Sequence, residues 1–136
     1  MIVDTSALVA IAKVEEGARS LAEALSSGAR LIPAPVVTEF NLVTSSAGNQ
    51  AQPEAQLLIS RLRQSGCRVT DYSEEDAALS IEAHRLHGRG NGRGGKLNML
   101  DIMVYCMAKR LDRPILCTGR DFASTDASIH PASRGW

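Results

Sequence analysis

Short apolar runs alternate with helical patterns along the whole 136-residue chain, and this alternation constrains the fold more than any other feature of the sequence. Strands that alternate with helices form parallel βαβ units, so that helices cover both faces of one sheet. We therefore expect an α/β fold, an α/β/α sandwich with a central, mainly parallel sheet of four to five short strands, in a single domain over residues 1–136. The predicted strands are residues 1–3, 30–32, 68–71 and 114–117, the predicted helices begin near residues 7, 17, 35, 53, 74 and 99, and residues 45–52 and 88–95 are predicted loops.

The cysteines and the N-terminus indicate the compartment. With 44% apolar residues, a chain of this length buries enough surface to fold without disulfides or a structural metal. The three cysteines, Cys67, Cys106 and Cys117, lack CxxC spacing, which indicates buried, reduced thiols. The opening MIVDTS lacks the basic region of a secretion signal, and no apolar run approaches the ~18 residues of a membrane span. We therefore expect a cytoplasmic protein with no membrane association.

A cationic block lies in the second half of the chain, although the formal net charge is zero. Residues 83–120 contain eight Lys or Arg against two Asp, whereas residues 1–82 contain six basic and eleven acidic residues. Such a block either binds a polyanion or forms a solvated helix face. Arginine supplies 12 of the 15 basic residues, and its planar fork suits bidentate contacts to phosphate.

Four acidic residues stand at the ends of predicted elements that a parallel sheet gathers on one edge. Asp4 and Asp121 follow predicted strands, whereas Glu39 and Asp101 lie in the opening turns of predicted helices. Each has a structural explanation alone: a helix cap for Asp4, a dipole partner for Glu39, an Asx-turn for Asp121 and a capping pair with Asn98 for Asp101. Because ligand sites in such sheets lie beyond the carboxyl ends of the strands, the topology nevertheless predicts that the four converge.

A cluster of carboxylates requires a cation, because several negative charges a few ångströms apart repel one another and raise their pKa values. All-oxygen ligands favour Mg²⁺ or Mn²⁺ over Zn²⁺. The three histidines, His84, His87 and His130, do not have the spacing of a zinc site. A cation held by carboxylates can position a water and offset charge on a phosphodiester, so the cluster predicts hydrolysis of a phosphate backbone.

Four segments resemble motifs of the PIN-domain ribonucleases and, among these, of the VapC toxins of bacterial toxin–antitoxin pairs. Their order and spacing extend over the chain from end to end, and the first and last are the most specific. The segments are residues 2–8 (IVDTSAL), 37–39 (VTE), 97–101 (LNMLD) running into Tyr105 and Ala108, and 118–122 (TGRDF) with Thr125 and Asp126.

The resemblance implies a PIN-like fold and a metal-dependent endoribonuclease that cleaves structured cellular RNA such as tRNA or ribosomal RNA. It also implies a homodimer and inhibition by a cognate VapB-type antitoxin. Asp126 is a second candidate for the role of Asp121. The residues that the resemblance assigns to the site are Asp4, Glu39, Asp101 and Asp121 as ligands of Mg²⁺ (or Mn²⁺), with Ser6 and Thr118 as supporting hydroxyls.

The glycine-rich loop at residues 88–95 has two interpretations. It is either a flexible linker or a mobile basic flap that contacts RNA phosphates through Arg89, Arg93 and Lys96. Contacts of the second kind add affinity that weakens with salt and carry little sequence preference.

Two other functions are to be weighed against the ribonuclease. A phosphotransfer enzyme with Asp4 as nucleophile usually opens with two aspartates spaced as DxD, but Ser6 stands at the second position. A non-catalytic module that binds RNA or a protein has no use for four acids at one edge, yet this chain has all four. Detection of a covalent aspartyl-phosphate would favour the phosphotransfer enzyme. RNA binding without cleavage would favour the non-catalytic module.

Overall fold

Four parallel strands form the centre of the fold in a computed structural model that describes residues 1–46 and 52–135. Along the chain they are β1 (Ile2–Val3), β2 (Leu31–Pro33), β3 (Arg68–Thr70) and β4 (Ile115–Leu116). Their order in the sheet is β3-β2-β1-β4, and every pairing is parallel. The predicted parallel sheet of short strands is therefore confirmed.

Six helices connect and cover these strands within the described ranges. They are α1 (Thr5–Ala12), α2 (Ala18–Ala24), α3 (Ala34–Ser45), α4 (Gln52–Gln64), α5 (Glu74–His87) and α6 (Met99–Leu111), and a 3₁₀ turn follows at Phe122–Ser124. The first four pack among themselves, while α5 packs on α6, which lies on β1 and β4. Helix α2 is shorter than the helix predicted there, which extends over residues 17–27. Most of the predicted loop at residues 45–52 lies outside the described residues.

The neighbouring strands β1 and β4 are buried completely. Ile2, Val3, Ile115 and Leu116 have no exposed surface, which explains why β1 and β4 are continuous apolar runs without polar alternation. Ile2 is paired with Ile115, and Val3 with Leu116. Because the strands are parallel and in register, the residues that follow each of them emerge at the same edge of the sheet.

The C-terminal segment, residues 128–135, extends the sheet beyond β4. Ile129 forms a parallel bridge with Ile115, and Arg134 forms one with Thr118. The hydroxyl of the buried Ser133 accepts the amide of Cys117 at 3.0 Å and donates to the carbonyl of Ile115 at 3.2 Å. The tail therefore holds the backbone on both sides of the β4 end.

A buried ion pair joins α5 to α6. Asp76 is fully buried, and its Oδ1 and Oδ2 accept Nε and Nη2 of Arg110 at 2.6 and 3.0 Å. The same carboxylate closes a capping box with Ser73 at the start of α5. Burial acts to raise the pKa of Asp76, but the hydrogen bonds from Arg110 and Ser73 outweigh it and hold that pKa below 3.8.

A buried cation, Arg30, lies directly before β2. Its guanidinium donates to the carbonyl oxygens of Leu25, at the end of α2, and of Ser65, just after α4. Its Nε is buried without a hydrogen-bond partner among the described residues. Arg30 therefore fastens the ends of two helices through their carbonyl groups.

The cysteine prediction is confirmed, since Cys67, Cys106 and Cys117 are free and buried. Over residues 1–46 and 52–135, no helix has the length and apolar character that crossing a membrane requires.

Replacement of Asp76 with Asn should lower the free energy of unfolding by about 2–4 kcal/mol, because the buried Arg110 contact loses its counter-charge. Urea denaturation at neutral pH measures the loss. Glu82→Gln is the matched control, since Glu82 pairs with Arg85 on the exposed face of the same helix and should leave unfolding nearly unchanged.

The pH dependence gives a second readout of the same pair. Because the pKa of Asp76 is lower in the folded chain, its stabilisation is complete above pH 3.8 and is lost as the pH falls further, through the folded-state pKa. The difference between wild type and Asp76→Asn should therefore shrink in acid. A difference that persists undiminished at pH 2 would contradict the ion pair as its source.

Val14→Gly should stabilise the protein. Val14 follows Lys13, the C-cap of α1, with φ of 54° and is 83% exposed, so a β-branched residue occupies a left-handed position at which glycine is preferred. The gain should be about 0.5–1 kcal/mol, which thermal melting can detect. Val14→Ala removes exposed apolar surface but keeps the Cβ, and an equal gain from it would contradict backbone strain as the cause.

Candidate active site

Asp4 lies at the junction of β1 and α1. It is the N-cap of the helix and is only 6% exposed. Its Oδ2 accepts the backbone amide and the hydroxyl of Ser6, at 2.9 and 2.5 Å. The amide of Thr118, just beyond β4, donates to the same hydroxyl at 3.0 Å. Ser6 thus orients Asp4 and links the loops that follow β1 and β4.

Glu39 projects from α3 toward the same place. The hydroxyl of Thr5 donates to Glu39 Oε2, across the contact between α1 and α3. The side chain of Glu39 is half-buried. Thr5, the residue next to Asp4, therefore holds the second acid in place.

Asp101 occupies the first turn of α6. Its Oδ2 accepts the amide of Asn98 at 2.8 Å, and the Asn98 side chain accepts the amides of Leu100 and Asp101 in return. The predicted capping pair is therefore present. Among the described residues, the second oxygens of Asp101 and Glu39 accept no hydrogen bond from the chain, so each carboxylate is oriented through one oxygen only.

Asp121 completes the group from the loop after β4. It is exposed and precedes the 3₁₀ turn, where its carbonyl accepts the hydroxyl of Ser124 at 2.7 Å. That contact uses its backbone and not its carboxylate. Of the four acids, Asp121 is the one most open to solvent.

The pKa shift of Asp101 places the other three acids within electrostatic reach of it. Burial raises the pKa of Asp101 to about 6, and the charges of Asp4, Asp121 and Glu39 all add to the rise. Burial also raises the pKa of Asp4, where Glu39 contributes and the hydrogen bonds from Ser6 act in the opposite direction. The structure thus gathers at one edge the acids that the topology predicted to converge.

No basic side chain in the described part of the chain pairs with this cluster. Within residues 1–46 and 52–135, none of the four acids forms a salt bridge with Lys, Arg or His. A buried carboxylate and its like-charged neighbours normally need a counter-ion, and an all-oxygen donor set is the kind that Mg²⁺ or Mn²⁺ prefers. The donor chemistry therefore fits the predicted cation. In the same ranges, no three His, Cys, Asp or Glu side chains are positioned to coordinate one metal ion. Binding of the cation would therefore require these side chains to move.

Asp126 belongs to a different network. Its Oδ1 accepts the Tyr105 hydroxyl at 2.5 Å, and its Oδ2 accepts Lys109 Nζ at 2.9 Å. These two hydrogen bonds lower the pKa of Asp126 to about 2. Asp126 is not among the charges that raise the pKa of Asp101. It is therefore paired with a cation of α6, whereas Asp121 faces the acidic cluster.

The glycine-rich loop with Arg89, Arg93 and Lys96, here called the basic loop, lies next to the N-terminus of α6. Its two ends are joined, because the amide of Arg89 donates to the carbonyl of Leu97 at 2.8 Å. Arg89 lines a cavity shared with Asn98 and Met99, while Lys96 is exposed. Arg93 lies within electrostatic reach of Glu82 on α5. Arg85 is the main cause of the lowered pKa of Glu82, and the charge of Arg93 lowers that pKa further.

Sequence reasoning missed Arg134 at this edge. Arg134 lines a cavity together with Thr118, and its carbonyl accepts the amide of Gly119 at 2.8 Å. The C-terminal segment shows no apolar alternation, and its pairing with β4 consists of isolated bridges. No local sequence signal placed this arginine beside the strand.

Comparisons with known proteins agree with this geometry. The chain is similar to ribonuclease VapC42 of Mycobacterium tuberculosis, with 38% identity over 135 residues that cover 97% of this chain and 98% of the relative. It is also similar to ribonuclease VapC36 of the same species, with 34% identity over 139 residues, covering 100% and 97% of the two chains.

Solved structures share the fold at low sequence identity. The sarcin-ricin loop cleaving toxin VapC20 of M. tuberculosis superposes with a TM-score of 0.69 at 16% identity, over 95% of this chain and 97% of that one. VapBC2 of Rickettsia felis, bound to a DNA fragment from its promoter, gives a TM-score of 0.71 at 17% identity, over 99% and 97%. The sequence pattern of the PIN domain matches residues 1–128. By its sequence, its fold and its relatives, this chain belongs to the PIN-domain family, in the group of the VapC ribonucleases.

Proposed function

We propose that this protein is a metal-dependent endoribonuclease, the toxin of a VapBC-type toxin–antitoxin system, which hydrolyses phosphodiester bonds in cellular RNA such as tRNA or ribosomal RNA. The observation that carries the proposal is the convergence of four acids without a positive partner in the described part of the chain. Relatives named VapC ribonuclease support the activity. The reduced, buried cysteines are in keeping with a cytoplasmic site of action.

In this proposal Asp4, Glu39, Asp101 and Asp121 hold Mg²⁺ or Mn²⁺. When bound, the cation supplies Lewis acidity that polarises the scissile phosphate and orients a water for attack. The chain itself fixes the ligands, because hydroxyl and amide donors hold three of the carboxylates through one oxygen each. Ser6 and Thr118 act as positioning residues, since the Thr118 amide and Asp4 share the Ser6 hydroxyl.

The substrate side of the proposal involves the basic loop. Arg89, Arg93 and Lys96 are exposed and carry no salt bridge among the residues that are described. They could contact phosphates on the strand that enters the site from the N-terminal end of α6. Contacts of this kind supply affinity, whereas the choice of RNA has to come from other parts of the molecule.

The partner side of the proposal is a VapB-type antitoxin, bound to a homodimer of this chain. An apolar cavity of about 530 Å³ lies between α3 and α6, beside Glu39. Leu42 and Met99 on its wall are 67% and 72% exposed. A protein segment that covers these side chains would bury apolar surface and close access to the acids. The solved toxin–antitoxin complex from Klebsiella pneumoniae, with a TM-score of 0.68, supports this kind of partner.

The decisive experiment is incubation of the purified protein with total RNA in Mg²⁺, Mn²⁺ or EDTA. Cleavage should require the metal. Asp4→Asn and Asp101→Asn should each slow it at least about 100-fold, since even residues that only orient a metal ligand are worth 10–100-fold. Asparagine at position 101 keeps an acceptor for the Asn98 amide, so α6 should keep its cap.

Asp112→Asn is the matched control for these variants. Asp112 is an exposed acid at the other end of α6 with φ of 49°, a conformation that asparagine tolerates. This variant should cleave like wild type. Cleavage that survives EDTA, or that survives in both active-site variants, would remove the proposed mechanism, and RNA binding without cleavage in any metal would favour the non-catalytic module.

Thermal melting tests the metal site without RNA. At a hundredfold excess over its dissociation constant, Mn²⁺ should stabilise the fold by about 2.7 kcal/mol, a rise in Tm of roughly 10 °C for a chain of this size. Without metal, Asp101→Asn should melt above wild type at neutral pH, because it removes a buried charge that its acidic neighbours repel. Added Mn²⁺ should reverse that order. An unchanged Tm at millimolar Mn²⁺ would count against the site.

A further inference from the structure

A cavity of about 480 Å³ lies between the turn that joins α1 to α2 and the C-terminal segment. It borders the active site through Thr118, whose amide donates to Ser6, the residue that orients Asp4. Its volume is sufficient for one nucleotide-sized ligand. The residues that line it are Glu15, Glu16, Gly17, Thr118, Arg134 and Gly135.

The backbone of Arg134 is fixed to the active-site loop. Its amide donates to the carbonyl of Cys117 at 3.1 Å, and its carbonyl accepts the amide of Gly119 at 2.8 Å. Gly135 allows this close approach, because a Cβ there would lie 2.5 Å from the nitrogen of Gly119. Any ligand held by Arg134 is therefore held at a constant position relative to Thr118.

The side chain of Arg134 is oriented as well. Its aliphatic part lies over Gly17, where a Cβ would come within 2.9 Å of Arg134 Cγ, and φ of +82° disfavours any other residue. Its Nη2 donates to the hydroxyl of Ser20 at 3.0 Å. Within residues 1–46 and 52–135 the guanidinium forms no salt bridge, although Glu15 and Glu16 line the same cavity.

An arginine that is oriented but unpaired is suited to an anion. The guanidinium has five N–H donors, and its planar fork matches a phosphate group. The two glutamates would repel a second phosphate, but their carboxylates can accept from ribose hydroxyls and from base N–H groups. The cavity therefore combines one phosphate contact with acceptors for the rest of a nucleotide.

We propose that this cavity binds one nucleotide of the RNA next to the scissile phosphodiester, with Arg134 holding its phosphate and Glu15 and Glu16 facing its sugar and base. The inference rests on the proposed ribonuclease function. It assigns substrate binding to the C-terminal segment, on the β4 side of the acids, whereas the basic loop lies at the start of α6.

The test is binding of a fluorescent, mixed-sequence single-stranded RNA of 20 nucleotides to the Asp4→Asn protein, which should bind without cutting. In this background Arg134→Gln keeps the stem over Gly17 and loses the charge, and it should weaken binding about tenfold. The slope of log Kd against log salt should fall by about 0.7, the value of one phosphate contact on a single strand. The RNA affinity of Arg134→Lys should lie between that of the protein with Arg134 and that of Arg134→Gln.

Arg19→Gln is the matched control. Arg19 adjoins Ser20 on α2, but it is 92% exposed and paired with Glu23, so RNA affinity should be unchanged. Glu15→Gln with Glu16→Gln should reduce the preference for RNA over DNA of the same sequence, because the acceptors for the 2′-hydroxyl are weakened.

The two proposals fail in different ways. If wild type cleaves total RNA but Arg134→Gln binds the probe with unchanged affinity and salt slope, the cavity is not a nucleotide site. If wild type cleaves no RNA in any metal, the proposed function fails, whatever Arg134 does. Equal losses from Arg134→Gln and Arg19→Gln would show a general charge effect and overturn the inference. Matching Tm values for the variants would confirm that each one is folded.

Discussion

Mutual repulsion among the carboxylates at one edge of the sheet is the constraint on which this structure depends. The edge gathers Asp4, Glu39, Asp101 and Asp121, and burial raises the pKa of Asp101 to about 6 in this company. Side chains under such repulsion would swing outward if nothing held them. Thr5, Ser6 and Asn98 supply the donors that prevent this, and each of them lies within three residues of an acid in the cluster.

Because the strands are short, the acids and the residues that orient them are held rigidly. Strands β1 and β4 are two residues long and completely buried, so Asp4 and Thr118 stand one or two residues beyond the core. Little chain is left to move between the packed sheet and the reactive edge. The Ser6 hydroxyl then joins the two loops, and the C-terminal segment braces the β4 side. Positional accuracy at the edge therefore comes from the core itself and not from the helices alone.

The sequence was sufficient for the parts of this structure that depend on local patterns. Apolar runs at residues 1–3 and 114–117 predicted β1 and β4, and the turns after them predicted where the acids would meet. The capping pair of Asn98 and Asp101 was also visible, because capping follows from residue spacing alone. The structural interpretation of Asp101 is confirmed, and the proposed metal-binding role is compatible with it, since the cap uses only one of its oxygens.

What the sequence did not predict depends on contacts between distant segments. Asp126 was a candidate equivalent of Asp121, and only the packing of the tail on α6 shows that it meets Tyr105 and Lys109 instead. The pairing of the C-terminal segment joins Ile115 to Ile129 and Thr118 to Arg134 without a strand-like pattern. The position of Arg134 over Gly17 joins residues more than a hundred positions apart, and no spacing rule covers such a contact.

Two arginines, the partly exposed Arg110 and the buried Arg30, give the molecule an order of disassembly. Arg110 depends on the carboxylate of Asp76, whereas Arg30 is held by carbonyl oxygens, which take up no proton at the low pH that protonates Asp76. A guanidinium itself stays charged throughout that range. Acid should therefore loosen the fastening between α5 and α6 first, while the region around β2, α2 and α4 stays joined. The chain would pass through a state in which α5 is loosened from α6, while α6 still covers β1 and β4 and Arg30 still holds the ends of α2 and α4.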